Sequence, residues 1–180
     1  MTWLPLLLTD PSPCLRWLVL RNLFGFSEDH PEVQELAGLR ASDPLVTTLL
    51  NLQESDGSWK PSGLAEGGLG GSQVLATAFA LTRLGYLGFD RQHPALENGA
   101  AYLFAQQRSD GSWPLPMDVD LDEGDSPTSQ DASALVPLQT ALPLRGLAAV
   151  GYAQDLRSER AYEWLLQQRL PDGAWPTGIA

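Results

Sequence analysis

The densest group of carboxylates in the chain is a run in which aspartates alternate with apolar residues. Asp118, Asp120 and Asp122 have the Asp-x-Asp-x-Asp spacing that begins a calcium-binding loop. Such a loop needs Gly at its sixth position and Glu at its twelfth, but Glu123 and Ser129 stand there. We therefore interpret the run as a solvated acidic loop. A Ca²⁺ or Mg²⁺ site at these three aspartates is the alternative.

The chain has few other residues of the types that commonly bind metals or act as nucleophiles. Cys14 is the only cysteine, and the two histidines, His30 and His93, do not lie at zinc-ligand spacing from it. Both histidines precede a proline, which predicts that they stand at helix starts. The glycine-rich stretch 67–71 lacks the Lys-Ser/Thr of a phosphate-binding loop. No nucleophile elbow of the Gly-x-Ser-x-Gly type occurs. We expect no metal and no cofactor.

The strongest pattern is a repeat. Asp-Gly-Ser-Trp occurs at 56–59 and 110–113, and Asp-Gly-Ala-Trp at 172–175, each shortly after a glutamine. The tryptophans are 54 and 62 residues apart, so the chain is an array of units that each hold about two helices. We call these the three Gln–Trp segments, and their repeated residues are Gln53, Gly57 and Trp59, then Gln107, Gly111 and Trp113, then Gln168, Gly173 and Trp175.

Each Gln–Trp segment follows an amphipathic helical pattern, with a large apolar residue four positions before the glutamine. Two alanine-rich segments that carry almost no charge also match each other. An offset of 66 aligns Gln73 with Gln139 and Gly85 with Gly151. We expect these apolar helices to lie inside and the amphipathic helices, with charges such as Glu163, to lie outside.

The repeated Gln and Trp predict a clamp. The glutamine amide can bond free backbone groups at a helix end, and the indole can stack over it. The Asp-Gly pair supplies a turn in which glycine takes positive φ. We expect this clamp to hold the turn between an outer and an inner helix. Unrelated Asp-Gly turns beside surface tryptophans are the alternative.

The pattern divides the chain into two parts. Residues 1–40 form an N-terminal helical pair, and residues 41–180 form the repeat segment. Within the second part, the proline-rich acidic stretch 114–138 reads as a loop insertion with a short helix at Ser129–Val136.

Charge and composition exclude several classes of partner. The net charge of −11, with 22 acidic and 11 basic residues, disfavours nucleic acid and anionic lipid. The N-terminus has no positive leader, and its apolar run is too short to span a bilayer. We expect a cytoplasmic protein, with peripheral membrane contact left open.

Three Gln…Gly-x-Trp motifs, each joining an amphipathic helix to an alanine-rich one, resemble the QW repeats of the terpene cyclase and protein prenyltransferase superfamily. The likeness is strongest to squalene–hopene cyclases and covers roughly residues 41–180. Ser126 to Leu135 also resembles a helix start of that family. The resemblance implies an all-α fold, the α/α toroid, in which six inner and six outer helices surround an apolar cavity. This chain holds too few hairpins for twelve helices, so we expect an incomplete ring, the N-terminal part of an (α/α)6 barrel.

The resemblance also implies an activity. In the superfamily, an apolar cavity binds an isoprenoid or triterpenoid, and the central Asp of an Asp-x-Asp-Asp motif starts a carbocationic cyclisation by protonation. That motif is not found here. The residues before Thr77-Ala78 are Gln73 to Ala76, none of them acidic. The candidate acids are therefore Asp131, Asp120 and Asp118.

Two other functions stay open. A non-catalytic toroid could use the cavity or the acidic loop to bind a lipid or a protein. An α/α-barrel glycosidase is the third possibility, although no suitable pair of carboxylates stands out on helix ends. An open ring would expose its apolar inner face, so we expect the rest of the barrel or a second chain to close it.

Overall fold

The computed structural model describes residues 3–61, 72–113 and 137–176. The regular elements within these ranges are helices, without a β-strand, which confirms the all-α class. In chain order they are α1 (Leu4–Leu8), α2 (Pro13–Leu18) with a π-helical turn (Val19–Leu23), α3 (Pro31–Leu39) with a 3-10 turn (Arg40–Ser42), α4 (Pro44–Leu50), α5 (Gln73–Tyr86), α6 (Pro94–Ala105), α7 (Pro137–Ala149) and α8 (Leu156–Gln167). None of the described helices is both long and apolar enough to cross a bilayer.

Three glycines with positive φ divide the helices into hairpins. Gly25, Gly88 and Gly151 have φ of +69°, +83° and +93°, and they lie 63 residues apart. Each follows an inner helix and reverses the chain toward an outer one, because glycine adopts positive φ without a steric penalty. The first hairpin pairs α2 with α3 and α4, the second α5 with α6, and the third α7 with α8.

The period of 63 corrects the register predicted for the two alanine-rich helices. In the structure Thr77 and Thr140 are equivalent, since each accepts a hydrogen bond from the backbone N–H of the tryptophan in the preceding Gln–Trp segment. The predicted offset of 66 is wrong by three residues. Helices rich in Ala and Leu match themselves nearly as well after a shift of about one turn, so composition alone does not determine their register.

The inner helices α5 and α7 form the most extensive helix–helix contact of the described chain. Their backbones touch at two glycines. A Cβ on Gly146 would lie 2.6 Å from the carbonyl oxygen of Ala78, and one on Gly85 would lie 2.6 Å from that of Ala149. Most of α5 is buried, as its lack of charge predicts. The charged side chains of α6 and α8, such as Glu97 and Glu163, are exposed.

The first hairpin departs from the other two at its inner helix. The backbone N–H of Phe26 donates to the carbonyl of Leu20, six residues earlier. The equivalent bonds, from Phe89 to Leu84 and from Tyr152 to Leu147, span five residues. The π-helical turn Val19–Leu23 therefore absorbs one extra residue, which is how such turns commonly arise.

One buried carboxylate joins two helices of the first hairpin. Asp43 is the N-cap of α4, where its Oδ1 accepts the N–H of Leu45 at 2.8 Å. Its Oδ2 accepts the N–H of Cys14 at 3.0 Å and the hydroxyl of Ser12 at 2.5 Å, at the start of α2. Burial acts to raise the pKa of Asp43, but the hydrogen bonds from Ser12, Cys14 and Leu45 outweigh it and hold the pKa below its usual value.

The predicted boundary between residues 40 and 41 falls within the 3-10 turn. Arg40 lies with its guanidinium carbon 4.0 Å from the ring centroid of Trp17 and 4.6 Å from that of Phe89. Its Nη2 donates to the carbonyl of Leu87 at 3.1 Å. The first hairpin thus contacts the loop that follows α5. The division of the chain at residue 40 stays a prediction.

Candidate functional site

The first Gln–Trp segment bonds three helices together. The Nε2 of Gln53 donates to the carbonyl of Gly57 in its own turn at 3.1 Å and to that of Ala95 in α6 at 2.8 Å. Trp59 is fully buried. Its indole N–H donates to the carbonyl of Leu49 in α4 at 2.7 Å, and its backbone N–H donates to the hydroxyl of Thr77 in α5 at 3.0 Å.

The second segment repeats every one of these bonds. Gln107 donates to Gly111 in its turn and to Arg157 in α8, both at 2.9 Å. Trp113 is also fully buried, with its indole N–H 2.7 Å from the carbonyl of Leu103. Its backbone N–H lies 3.1 Å from the hydroxyl of Thr140. A contact pattern kept in two copies is a property of the repeat.

The clamp extends further than its predicted position. The sequence predicts that the glutamine holds the turn between an outer and an inner helix. It also reaches the next outer helix, because each Nε2 carries two hydrogens and each hydrogen serves a different carbonyl. The first two Gln–Trp segments thus each join two consecutive hairpins.

The turn glycines permit this contact. Gly57 and Gly111 have φ of +88° and +96°. A Cβ on Gly57 would lie 2.5 Å from the carbonyl oxygen of Asn98, and one on Gly111 would lie 2.6 Å from that of Arg160. The turns therefore pack directly on the backbone of the following outer helix.

The third segment has a different residue at the clamp position. The side chain that donates to the carbonyl of Gly173 is Arg169, through Nε at 2.9 Å, and not the predicted Gln168. The bond from Leu170 N–H to the carbonyl of Ala174 is equivalent to those that close the first two turns. This segment has one more residue between Gln168 and the Asp-Gly pair, which moves the glutamine out of position. Trp175 is 43 % exposed.

An open apolar groove lies between α2, α4 and the end of α5. Its volume is about 670 Å³. Most of its lining is aliphatic, with Arg83 and Tyr86 as the charged and aromatic members. The lining residues are Leu15, Leu18, Pro44, Leu45, Thr48, Leu49, Leu52, Arg83, Tyr86 and Leu87.

Sequence comparison assigns these repeats to a family. The family model of the squalene-hopene cyclase C-terminal domain matches residues 18–179. The chain belongs to this family. Its helical hairpins are accordingly repeats of the α/α toroid, and its Gln–Trp segments are the QW repeats of the terpene cyclases.

One relative is the squalene–hopene cyclase of Zymomonas mobilis subsp. mobilis. It is 34 % identical to the chain over 145 residues, which cover 77 % of this chain and 20 % of the relative. The chain therefore spans about a fifth of the length of the cyclase that it matches.

The first turns of the inner helices α5 and α7 contain no carboxylate that could serve as a cyclase acid. Asp118, Asp120 and Asp131, together with Asp122 of the candidate metal loop, lie outside the described residues, so their roles stay predictions. Within the described ranges, no group of three or more His, Cys, Asp or Glu side chains could hold a metal ion.

The two histidines and the cysteine considered in the sequence analysis lie at helix starts and in the core. His30 and His93 are N-caps of α3 and α6, as predicted from the prolines that follow them. Cys14 is fully buried. Burial and, to a smaller extent, the neighbouring Asp43 carboxylate raise the pKa of its thiol to about 12, which makes the thiol a poor nucleophile.

Sequence reasoning missed Thr77, Thr140 and Arg169. The two threonines could have been found, because each opens a Thr-Ala pair and the pairs are 63 residues apart. The same spacing separates the dipeptides His30-Pro31 and His93-Pro94. Arg169 gave no such signal, since the adjacent Gln168 satisfies the motif equally well.

Proposed function

We propose that this chain is a terpene-cyclase-like toroid segment that binds an isoprenoid or triterpenoid chain in an apolar groove between its first two hairpins. The observation that carries the proposal is the groove between α2, α4 and α5, because its walls are almost entirely aliphatic. Each methylene of a ligand buried there contributes about 0.8 kcal/mol, so a few isoprene units supply useful affinity.

Cyclisation needs a proton donor in addition to the groove. A carboxylic acid beside an apolar cavity keeps its proton because burial raises its pKa. Asp118, Asp120 and Asp131 are the candidates within this chain, and helices that complete the ring are the other source. The carbocations formed after protonation would be stabilised by aromatic faces.

Ring completion is part of this proposal. The third Gln–Trp segment has the same turn as the first two, but Trp175 is exposed whereas Trp59 and Trp113 are buried. We propose that another helical hairpin packs against α8 and covers Trp175. The hairpin would belong to the rest of a barrel or to a second chain.

A non-catalytic binding toroid is the second candidate. The observation that favours it is that the first turns of α5 and α7 carry no carboxylate, since Gln73 opens α5 and Gln139 lies in the first turn of α7. A ligand would then bind in the groove and leave unchanged.

Binding and turnover of squalene test these proposals together. Radiolabelled squalene is incubated with the protein, retained radioactivity is counted after gel filtration, and extracts are analysed for cyclised products. We expect Thr48→Trp, which fills the groove, to abolish retention. Ala101→Trp, on the exposed side of α6, should leave it unchanged. Retention without product supports the non-catalytic toroid, and retention that is insensitive to Thr48→Trp contradicts the groove as the site.

The candidate acids are tested in the same assay. If cyclised product forms, Asp131→Asn and Asp120→Asn should each be compared with the unsubstituted protein. Turnover that neither substitution lowers excludes both residues as the proton donor.

A further inference from the structure

At the α5 end of the groove, Tyr86 contacts an arginine of the neighbouring helix α7. Arg145 of α7 donates to the phenol oxygen of Tyr86 through Nε at 3.1 Å and through Nη2 at 2.8 Å. Arg83 lies one turn before Tyr86 on α5, and both residues line the groove. Tyr86 is 56 % exposed, so this end of the groove is open to a ligand.

Arg145 is unusual in so acidic a protein because no described carboxylate pairs with it. Arg21, Lys60 and Arg157 each form an ion pair with a carboxylate. Arg145 has no carboxylate partner in the described ranges, although the chain carries 22 acidic residues. Two of its five N–H groups bond a neutral phenol oxygen, which leaves its positive charge uncompensated by an acid.

The phenol group is oriented as a donor. Because the oxygen of Tyr86 accepts two hydrogen bonds from Arg145, its own hydrogen must point elsewhere. Hydrogen bonds accepted from a cation also polarise the O–H and strengthen it as a donor. Tyr86 and Arg145 therefore present positive charge and N–H or O–H donors to the same region.

We propose that the groove binds an amphiphile whose aliphatic tail lies among the leucines and whose anionic head, a phosphate or a carboxylate, binds Arg145 and Tyr86. The proposal rests on the proposed function for the tail and adds the charge of the head group. Guanidinium groups bind phosphate and carboxylate through charge-assisted hydrogen bonds that a neutral hydrocarbon cannot form.

Equilibrium binding of three probes tests this inference. The probes are squalene, which is neutral, and farnesyl diphosphate and palmitate, which carry the two kinds of anionic head. We expect both anionic probes to bind roughly ten-fold more tightly than squalene, with affinities that fall as salt concentration rises. A preference between diphosphate and carboxylate identifies the head group.

Substitutions locate the effect. Arg145→Gln should weaken binding of the anionic probes about ten-fold, and Tyr86→Phe should weaken it less, because each removes part of the head-group site. Squalene binding should not change in Arg145→Gln, because Arg145 is not among the residues that line the groove. Arg91→Gln removes an exposed arginine outside the groove and should leave the binding of each probe unchanged.

The outcomes separate this inference from the proposed function. If squalene binds in the groove as well as the anions do, or if Arg145→Gln affects no probe, the head-group inference is wrong and the proposed function stands. If none of the three probes binds, both are contradicted.

Discussion

At the scale of single residues, the two hydrogen bonds donated by Gln53 and by Gln107 explain why the side chain at these positions must be a primary amide. One nitrogen carries two hydrogens, and these serve two carbonyls, one in the turn and one in the next outer helix. A carboxylate has the same shape but offers only acceptors. The sequence could indicate Gln53 and Gln107 through the repeat, but not their second acceptors, Ala95 and Arg157, which lie 42 and 50 residues away.

Gln107→Glu tests the clamp. The substitution removes both donated bonds and places a carboxylate against two carbonyl oxygens, so we expect the free energy of unfolding to fall by about 3 kcal/mol. The neighbouring Gln106→Glu is the control, since Gln106 is exposed and its charge change at the end of α6 is the same. The control substitution should lower the free energy of unfolding by less than about 1 kcal/mol. Urea unfolding of both variants checks this, and equal losses would contradict the clamp.

Asp43 predicts a dependence of stability on pH. Its folded pKa lies below the ordinary value of 3.8, so its carboxylate stabilises the fold above that pH. This stabilisation is lost as pH falls below 3.8 and through the folded pKa. Asp43→Asn should cost about 2 kcal/mol at pH 7, because the two helix starts lose a charged acceptor.

The measurement for Asp43 is unfolding at several pH values. The difference in the free energy of unfolding between the unsubstituted protein and Asp43→Asn should shrink from pH 6 to pH 3, because the Asp43 carboxylate becomes protonated over this range. Asp90→Asn removes a carboxylate from an exposed turn and serves as the control. A difference that stays constant over this range would show that the charge of Asp43 does not contribute.

At the scale of helices, the alternation of apolar and amphipathic segments predicts the inner and outer helices correctly. Details that depend on partners distant in sequence were not predictable. The register of α5 against α7 follows from glycine contacts rather than from composition. The π-helical turn absorbs an extra residue that only comparison with the other hairpins reveals. Arg169 takes the clamp position because one inserted residue shifts Gln168.

Gly146→Ala tests the close contact of the inner helices. Alanine is normally better than glycine inside a helix, by about 1 kcal/mol. Here its Cβ would lie 2.6 Å from a backbone oxygen of α5, so we expect a net destabilisation of about 2 kcal/mol.

Gly38→Ala is the matched control for this contact. A Cβ on Gly38, within α3, would meet no atom within 4 Å. That variant should be as stable as the unsubstituted protein or more so, as measured by thermal unfolding. Stabilisation by both substitutions would mean that α5 and α7 are not packed as the structure shows.

At the scale of the whole molecule, the first two hairpins, joined by the first Gln–Trp segment, place residues from distant parts of the sequence around one apolar groove. Residues 15–18, 44–52 and 83–87 contribute to it, and no motif in the sequence links them. The family relationship could therefore be predicted from the repeats, whereas the groove and its charged end required the structure. The candidate acids Asp118, Asp120 and Asp131 are known from the sequence alone.

Amide hydrogen exchange with and without squalene, read by mass spectrometry, tests most directly whether the groove is where the ligand binds. We predict slower exchange in residues 44–52 and 83–87, which line the groove, and no change in 94–105, the outer helix α6. Unchanged exchange throughout, or protection confined to 94–105, would contradict the proposal that an isoprenoid binds in this groove.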